Sequence, residues 1–149
     1  RMTELIEHSD VLLLDRYVGS NMAHQGARVP PHKRHEFLGW VNHLEHEVYD
    51  LPRPDLTLFL DVPVSVASAN IARRHQQSAP AGTALDLHEV DNDYLELCRA
   101  VYLDLMNEGE FGRWVSVPCV SGTADHLDPP EEIAARVWHI VHRHLFFAG

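Results

Sequence analysis

The stretch LLLDRYVGSNMAHQG, Leu12 to Gly26, decides how this chain reads. An apolar run stops at an acid joined to a base, Asp15-Arg16. Behind them come Gly19, Ser20, Asn21, His24, Gln25 and Gly26 within a few positions. A segment that served only the core would not need such a polar cluster. The apolar half, Val11 to Asp15, reads as a buried strand, and the polar half reads as a helix. On that helix Asn21 and Gln25 are four apart and share a face, with Tyr17 and His24 close to it. In open α/β sheets, ligands sit beyond the carboxyl ends of the strands, which is where Asp15 and Arg16 fall. The carboxylate suits Mg2+, directly or through water, and the guanidinium suits a phosphate. The amides and the hydroxyl can donate to and accept from a base or sugar. The plain alternative is a structural ion pair between Asp15 and Arg16.

Working outward, two more apolar stretches read as strands. They are Leu56 to Val62 (LTLFLDV) and Arg113 to Val120 (RWVSVPCV). Near-continuous apolar strands separated by helical stretches predict an α/β fold with a parallel sheet covered on both faces. Phe37, Val41, Leu44 and Val48 fall on one helical face. So do Val90, Tyr94, Leu97, Val101 and Leu105, and, in the last helix, Ile133, Val137, Ile140 and Val141. Ser65 is expected to cap a helix running to Arg74. Asp128 is expected to cap the last helix, with Pro129 at its first position. His75 to Ala84 (HQQSAPAGTA) lacks large apolar residues and reads as a loop between two helices, with Arg73-Arg74 before it and Asp86 to Glu89 after it. A lid at about 75–85 is the functional reading, and a surface linker is the plain one.

The 149 residues suffice for one domain with a core of its own. The formal charge of −10 speaks against a nucleic-acid partner, because phosphate backbones need positive faces. It leaves room for a small phosphate met by a few arginines. No apolar run approaches the roughly 18–20 residues of a membrane span. Two cysteines, Cys98 and Cys119, are too few for a disulfide scaffold, so a reduced, cytoplasmic setting is expected.

DRYVGSNMAHQG resembles the nucleotide-binding segment of the thymidylate kinase family, D-R-Y/H-x-x-S-x-x-A-Y-Q-G. RPDLTLFLDVPVSVASANIARR is similar to the family's P-D-L-T strand and the helix running into its lid. LDLHEVDNDYLELCRAVYLDL is similar to the segment after the lid. The likeness runs through nearly the whole chain in order. It implies a three-layer parallel sheet of the P-loop nucleoside-monophosphate kinase type, with ATP and thymidine monophosphate (dTMP) as substrates and Mg2+ as cofactor. Asp15, the metal ligand, would lie near Mg2+ and the phosphates, and Arg16 would bind the acceptor's phosphate. Ser20, Asn21 and Gln25 would surround its sugar and base. His24 stands where the family often has Tyr, a ring that packs against the sugar. Arg73 and Arg74 would be lid cations, His88 and Glu89 would approach the acceptor nucleoside, and Ser121, Gly122, Thr123 and Ala124 would lie near adenine. The family commonly dimerises through helices, and the helix from Arg34 to Tyr49 is the candidate homodimer surface.

The family's phosphate loop, G-x-x-x-x-G-K-S/T, is not in the sequence; Lys33, the only lysine, follows no glycine. The chain is therefore expected to be an N-terminally truncated part of such a kinase, without its first strand and P-loop, inactive and poorly stable alone. Another nucleoside or nucleotide kinase of the same fold and a non-catalytic nucleotide-binding protein are rivals. A metal-binding protein is a third, from the twelve histidines. His32, His35, His43 and His46 crowd one segment, and His139, His142 and His144 another. His43, His46 and Glu47 share a helical face suited to Zn2+ or Ni2+.

Overall fold

A computed structural model describes residues 2–78, 92–122 and 125–147. The order is α1 (Met2–Glu7), α2 (Val18–Gly26), α3 (Pro31–His43), β1 (Thr57–Asp61), α4 (Val64–Ser78), α5 (Asn92–Glu108), β2 (Trp114–Pro118) and α6 (Pro130–Phe147). α3 starts with Pro31 at its first position, where a missing N–H costs nothing. It runs on into a π-helical turn, Leu44–Val48. Asp50, in the left-handed region at φ 53°, then ends the helical path.

β1 and β2 pair in parallel, Thr57 opposite Trp114 through Asp61 opposite Pro118. α5 packs against β2, α2 and α4, and α6 packs against β2. The larger buried cluster lies among helices. Val18, Met22 and Ala23 of α2 meet Leu38 and Val41 of α3 and Cys98, Val101 and Leu105 of α5. Phe59 of β1 stacks on Tyr102 of α5, ring centroids 4.7 Å apart, which seats the sheet on the same helix. No helix among the described residues is long and apolar enough to cross a membrane.

Several expectations need correction. Val11 to Asp15 is not a strand: the sheet contains only β1 and β2 among the described residues. An apolar run signals a wish for burial, but a strand exists only where a neighbour completes its hydrogen bonds. Lacking one, the segment has no regular structure, with Leu13 86 % exposed. In α3 the π turn adds a residue per turn and rotates the stripe, so Val48 points outward. In α5 the core takes Cys98, and Leu97 is exposed. The α6 stripe is only half-buried. Ser65 lies inside α4, whose first N–H groups, from Val66 and Ala67, donate to the Pro63 carbonyl. That helix passes Arg74 and ends at Ser78, so the expected lid begins in helix; its remainder from 79 lies outside the described residues. Asp128 does not cap α6; the Pro129 carbonyl receives the N–H groups of Glu132 and Ile133.

Candidate active site

The turn into α2 is made by Arg16, whose φ of 64° lies in the left-handed region. Such a conformation costs a side-chain-bearing residue about 1–2 kcal/mol. Among the described non-glycine residues only Asp50 shares it. Asp15 and Arg16 are both exposed, and neither makes a hydrogen bond or ion pair with a described residue. The structural ion pair is therefore not formed. Arg16 stands without a described partner at a backbone position that resists a side chain, with the unpartnered Asp15 carboxylate next to it in sequence.

Tyr17 anchors the start of α2. Its hydroxyl donates to the Pro52 carbonyl at 2.9 Å, tying this end of the helix to the segment that leads into β1. Burial, then the charge of Glu45, pushes its phenol pKa up. One turn on, Asn21 Nδ2 donates to Glu45 Oε1 at 2.7 Å, and Asn21 Oδ1 accepts from Gln25 Nε2. The shared face of Asn21 and Gln25 is as the four-residue spacing requires. Glu45 had no sequence signal, because the π turn that presents it cannot be read from a helical pattern. Ser20 closes the first turn of α2, its N–H donating to the Tyr17 carbonyl.

His24 faces α5. Its Nδ1 lies 3.2 Å from the Tyr94 hydroxyl and 3.5 Å from Cys98 Sγ. The same hydroxyl donates to the His24 carbonyl at 3.1 Å. The Arg28 guanidinium sits over the Tyr94 ring, 5.2 Å from its centroid. Burial, then the charges of Arg16 and Arg28, holds the His24 pKa below the usual imidazole value. Burial likewise raises the Tyr94 phenol and the Cys98 thiol. Arg16 and His24 thus belong to one electrostatic neighbourhood.

At the carboxyl end of β1, Asp61 receives two hydrogen bonds from Arg99 of α5, at 2.8 and 3.0 Å. The Asp61 contact is the main cause of the raised Arg99 pKa. Arg99 was missed in the sequence, since nothing local marks a partner 38 residues away.

The other candidates stand apart. Arg73 and Arg74 are exposed on α4; Arg73 donates to Asn70 Oδ1 at 2.6 Å. No described hydrogen bond or ion pair joins either to α2. After β2, the Ser121 N–H and hydroxyl donate to Asp128 at 3.0 and 2.8 Å, and Arg136 clamps the same carboxylate at 2.6 Å. Ser121 is thus committed to the loop, and Gly122 supplies its left-handed turn at φ 61°. His88, Glu89, Thr123 and Ala124 lie outside the described residues. The rival metal group of His43, His46 and Glu47 is not assembled among the described residues. His46 Nδ1–H donates to the Leu51 carbonyl at 2.7 Å, and Glu47 pairs with Arg53 at 2.6 Å. His35 instead sits between Glu108 and Glu110, at 3.5 and 3.8 Å, on the exposed surface.

A family profile described as thymidylate kinase matches residues 2–111. This chain belongs to the thymidylate kinase family. The match takes in α2, its arginine turn and α5 together. The chain is 35 % identical over 108 residues to a thymidylate kinase of Mycobacterium tuberculosis (strain H37Rv), covering 72 % of this chain and 50 % of the relative. It is 33 % identical over 141 residues to one of Thermomicrobium roseum, covering 95 % and 58 %. The chain spans about half the length of the curated relatives it matches. Thymidylate kinase membership carries the P-loop nucleoside-monophosphate kinase fold, to which the parallel pair β1–β2 and its helices conform.

Proposed function

We propose that this chain supplies the acceptor side of a thymidylate kinase, which transfers the γ-phosphoryl group of ATP to dTMP in dTTP biosynthesis. The observation that carries the reading is Arg16. It is exposed, unpaired among the described residues, held in a costly backbone conformation, and placed at the head of a helix lined with Asn21, His24 and Gln25. Strain of this kind persists where function requires it. Arg16 takes the dTMP phosphate as a bidentate partner. Asn21, Gln25 and Ser20 hold base and sugar. Arg73 and Arg74 come to the transferring group from α4, and His88 and Glu89 approach the nucleoside. The loop from Ser121 to Ala124 borders adenine.

Phosphoryl transfer asks for in-line positioning and for cations around spreading negative charge. The nucleophile is a phosphate oxygen already ionised at neutral pH, so no side chain need act as base. Asp15, exposed and without a described partner, offers the hard oxygen that Mg2+ favours; that ion keeps several waters and takes one or two carboxylates with phosphate oxygens. Asp15 would hold the ion, which would supply positive charge beside the phosphates.

Calorimetric titration of the chain with dTMP tests the reading. Binding should weaken about 10- to 100-fold in Arg16→Ala, the worth of a charge-assisted contact. Absence of dTMP binding, or binding indifferent to Arg16→Ala, overturns it. In the whole protein the same variant should abolish ADP formation from ATP and dTMP.

A further inference from the structure

The chain has twelve histidines and 22 acidic residues. Among the described residues one place brings three metal-ligating side chains together: His35, Glu108 and Glu110. One donor atom from each lies within 4.8 Å of the other two. His35 Nδ1 is 3.5 Å from Glu108 Oε2, and His35 Nε2 is 3.8 Å from Glu110 Oε2. Both spacings are longer than a good N–H···O hydrogen bond. A tetrahedral Zn2+ holds nitrogen and oxygen at about 2.0–2.2 Å, which sets neighbouring donors about 3.4 Å apart. All three side chains are exposed, so rotation about their own bonds closes the remaining gap without moving the backbone.

The backbone beneath each of them is anchored. His35 follows Arg34 on α3, which pairs with Asp104 of α5 at 3.6 Å and donates from Nε to the Gly26 carbonyl at 3.1 Å. Glu108 is the last residue of α5. Gly109 comes next, in the left-handed region at φ 64°, a common way to end a helix. The chain turns there and brings Glu110 back beside Glu108. Phe111 then enters the core, 9 % exposed. Its carbonyl accepts from Trp114 Nε1 at 3.3 Å, and its ring centroid lies 6.2 Å from that of His35.

We propose that His35, Glu108 and Glu110 form a surface site for a first-row divalent ion of the Zn2+ type, which cross-links α3 to the end of α5. The imidazole separates this group from ordinary surface carboxylates. Mg2+ and Ca2+ favour oxygen donors, whereas Zn2+, Ni2+ and Co2+ accept a mixed set of nitrogen and oxygen. The two carboxylates balance the ion's charge, and water takes the position left open. α3 and α5 each pack on α2. A metal clip between residues far apart in sequence adds stability by constraining the unfolded chain. The site stands apart from the acceptor-side reading of α2 and does not depend on it.

Calorimetric titration of the full chain with ZnCl2, in the presence of excess Mg2+, tests the site. Zn2+ should bind despite the competing ion. Glu108→Gln and Glu110→Gln should each weaken that binding at least about 10-fold, no less than the loss of an outer-sphere partner costs a metal site. His43→Gln, which removes an imidazole elsewhere on the same helix, should leave it unchanged. Exposed substitutions of this kind barely alter stability, so the variants remain folded. Zn2+ at 100 times its dissociation constant should raise the folding equilibrium constant of the unaltered chain about 100-fold, read as a higher urea midpoint. The two glutamine variants should show no such rise. No Zn2+ uptake, uptake abolished by Mg2+, or uptake unchanged in either glutamine variant overturns the proposal. So does a urea midpoint that rises equally in the unaltered chain and the variants.

Discussion

Arg16 sets function against stability at one residue. Glycine enters the left-handed region without steric cost, so Arg16→Gly should stabilise the fold by about 0.5–1 kcal/mol while removing the proposed phosphate clamp. Asp50, at φ 53°, is the control: Asp50→Gly should stabilise comparably and leave dTMP binding unchanged. Urea titration and dTMP calorimetry on both variants check the pair. If Arg16→Gly lost stability, Arg16 would be holding the fold through contacts that the structure does not contain. Asp128 shows the opposite kind of residue, one wholly engaged. Hydrogen bonds from Ser121, and then Arg136, hold its carboxyl pKa below the usual value. A depressed folded-state pKa means stability that is full above the ordinary carboxylate range and lost as pH falls through the lowered value. Asp128→Asn should therefore lower the melting temperature at pH near 7, and the difference should shrink as pH falls below the ordinary carboxylate range. A difference that is constant with pH would contradict the assignment. Asp15, Arg16, Asn21, His24 and Gln25 were legible in the sequence because they lie within three helical turns. Tyr94, Glu45 and Arg99 were not, because what makes them relevant is a neighbour contributed by a distant element.

Two glycines in helices test how the elements meet. A β-carbon on Gly19 of α2 would stand 2.5 Å from Trp114 Cη2, at the start of β2. Trp114 has little room to retreat: its Nε1 donates to the Phe111 carbonyl at 3.3 Å and its ring lies against Tyr102. Overpacking of this kind costs about 1–3 kcal/mol, more than the roughly 1 kcal/mol that alanine gains over glycine in a helix. Gly39 of α3 has nothing within 4 Å of the same added atom. Gly19→Ala should lose net stability and Gly39→Ala should gain about 1 kcal/mol, read by denaturant midpoints. Equal gains would mean that α2 does not rest on Trp114. The element pattern also shows where sequence reading stops. Apolar runs located β1 and β2, since each has the other as partner. The same signal at Val11 to Asp15 named a segment with no partner among the described residues. In α3 the periodicity gave Val41 correctly and failed at Val48, because a π turn changes the period that the pattern assumes.

At the scale of the molecule, the most buried residues lie where α2, α3 and α5 meet, and the sheet is a pair of strands. Two strands alone are marginal in water, so β1 and β2 depend on α5 and α6 for their persistence. The stability of the whole should therefore be carried by the helical cluster, with local opening concentrated elsewhere. Native-state hydrogen exchange reads this directly. Amides around Met22, Val41 and Val101, whose side chains are at most 2 % exposed, should exchange only through global unfolding. Amides of Val11 to Asp15, which donate no described backbone hydrogen bond, should exchange almost as in an unfolded chain. Saturating dTMP makes the argument sharper. A ligand at 100 times its dissociation constant stabilises the native state by about 2.7 kcal/mol, and every amide that exchanges by global unfolding should slow by about 100-fold. Amides that open locally away from α2, such as those at the exposed end of α6, should not respond. If Val11 to Asp15 proved as protected as α5, that segment would be paired as a strand. If dTMP slowed only α2 and left Val101 unchanged, α2 and α5 would open separately, and the contact between His24 and Tyr94 would not bind the acceptor helix to the core.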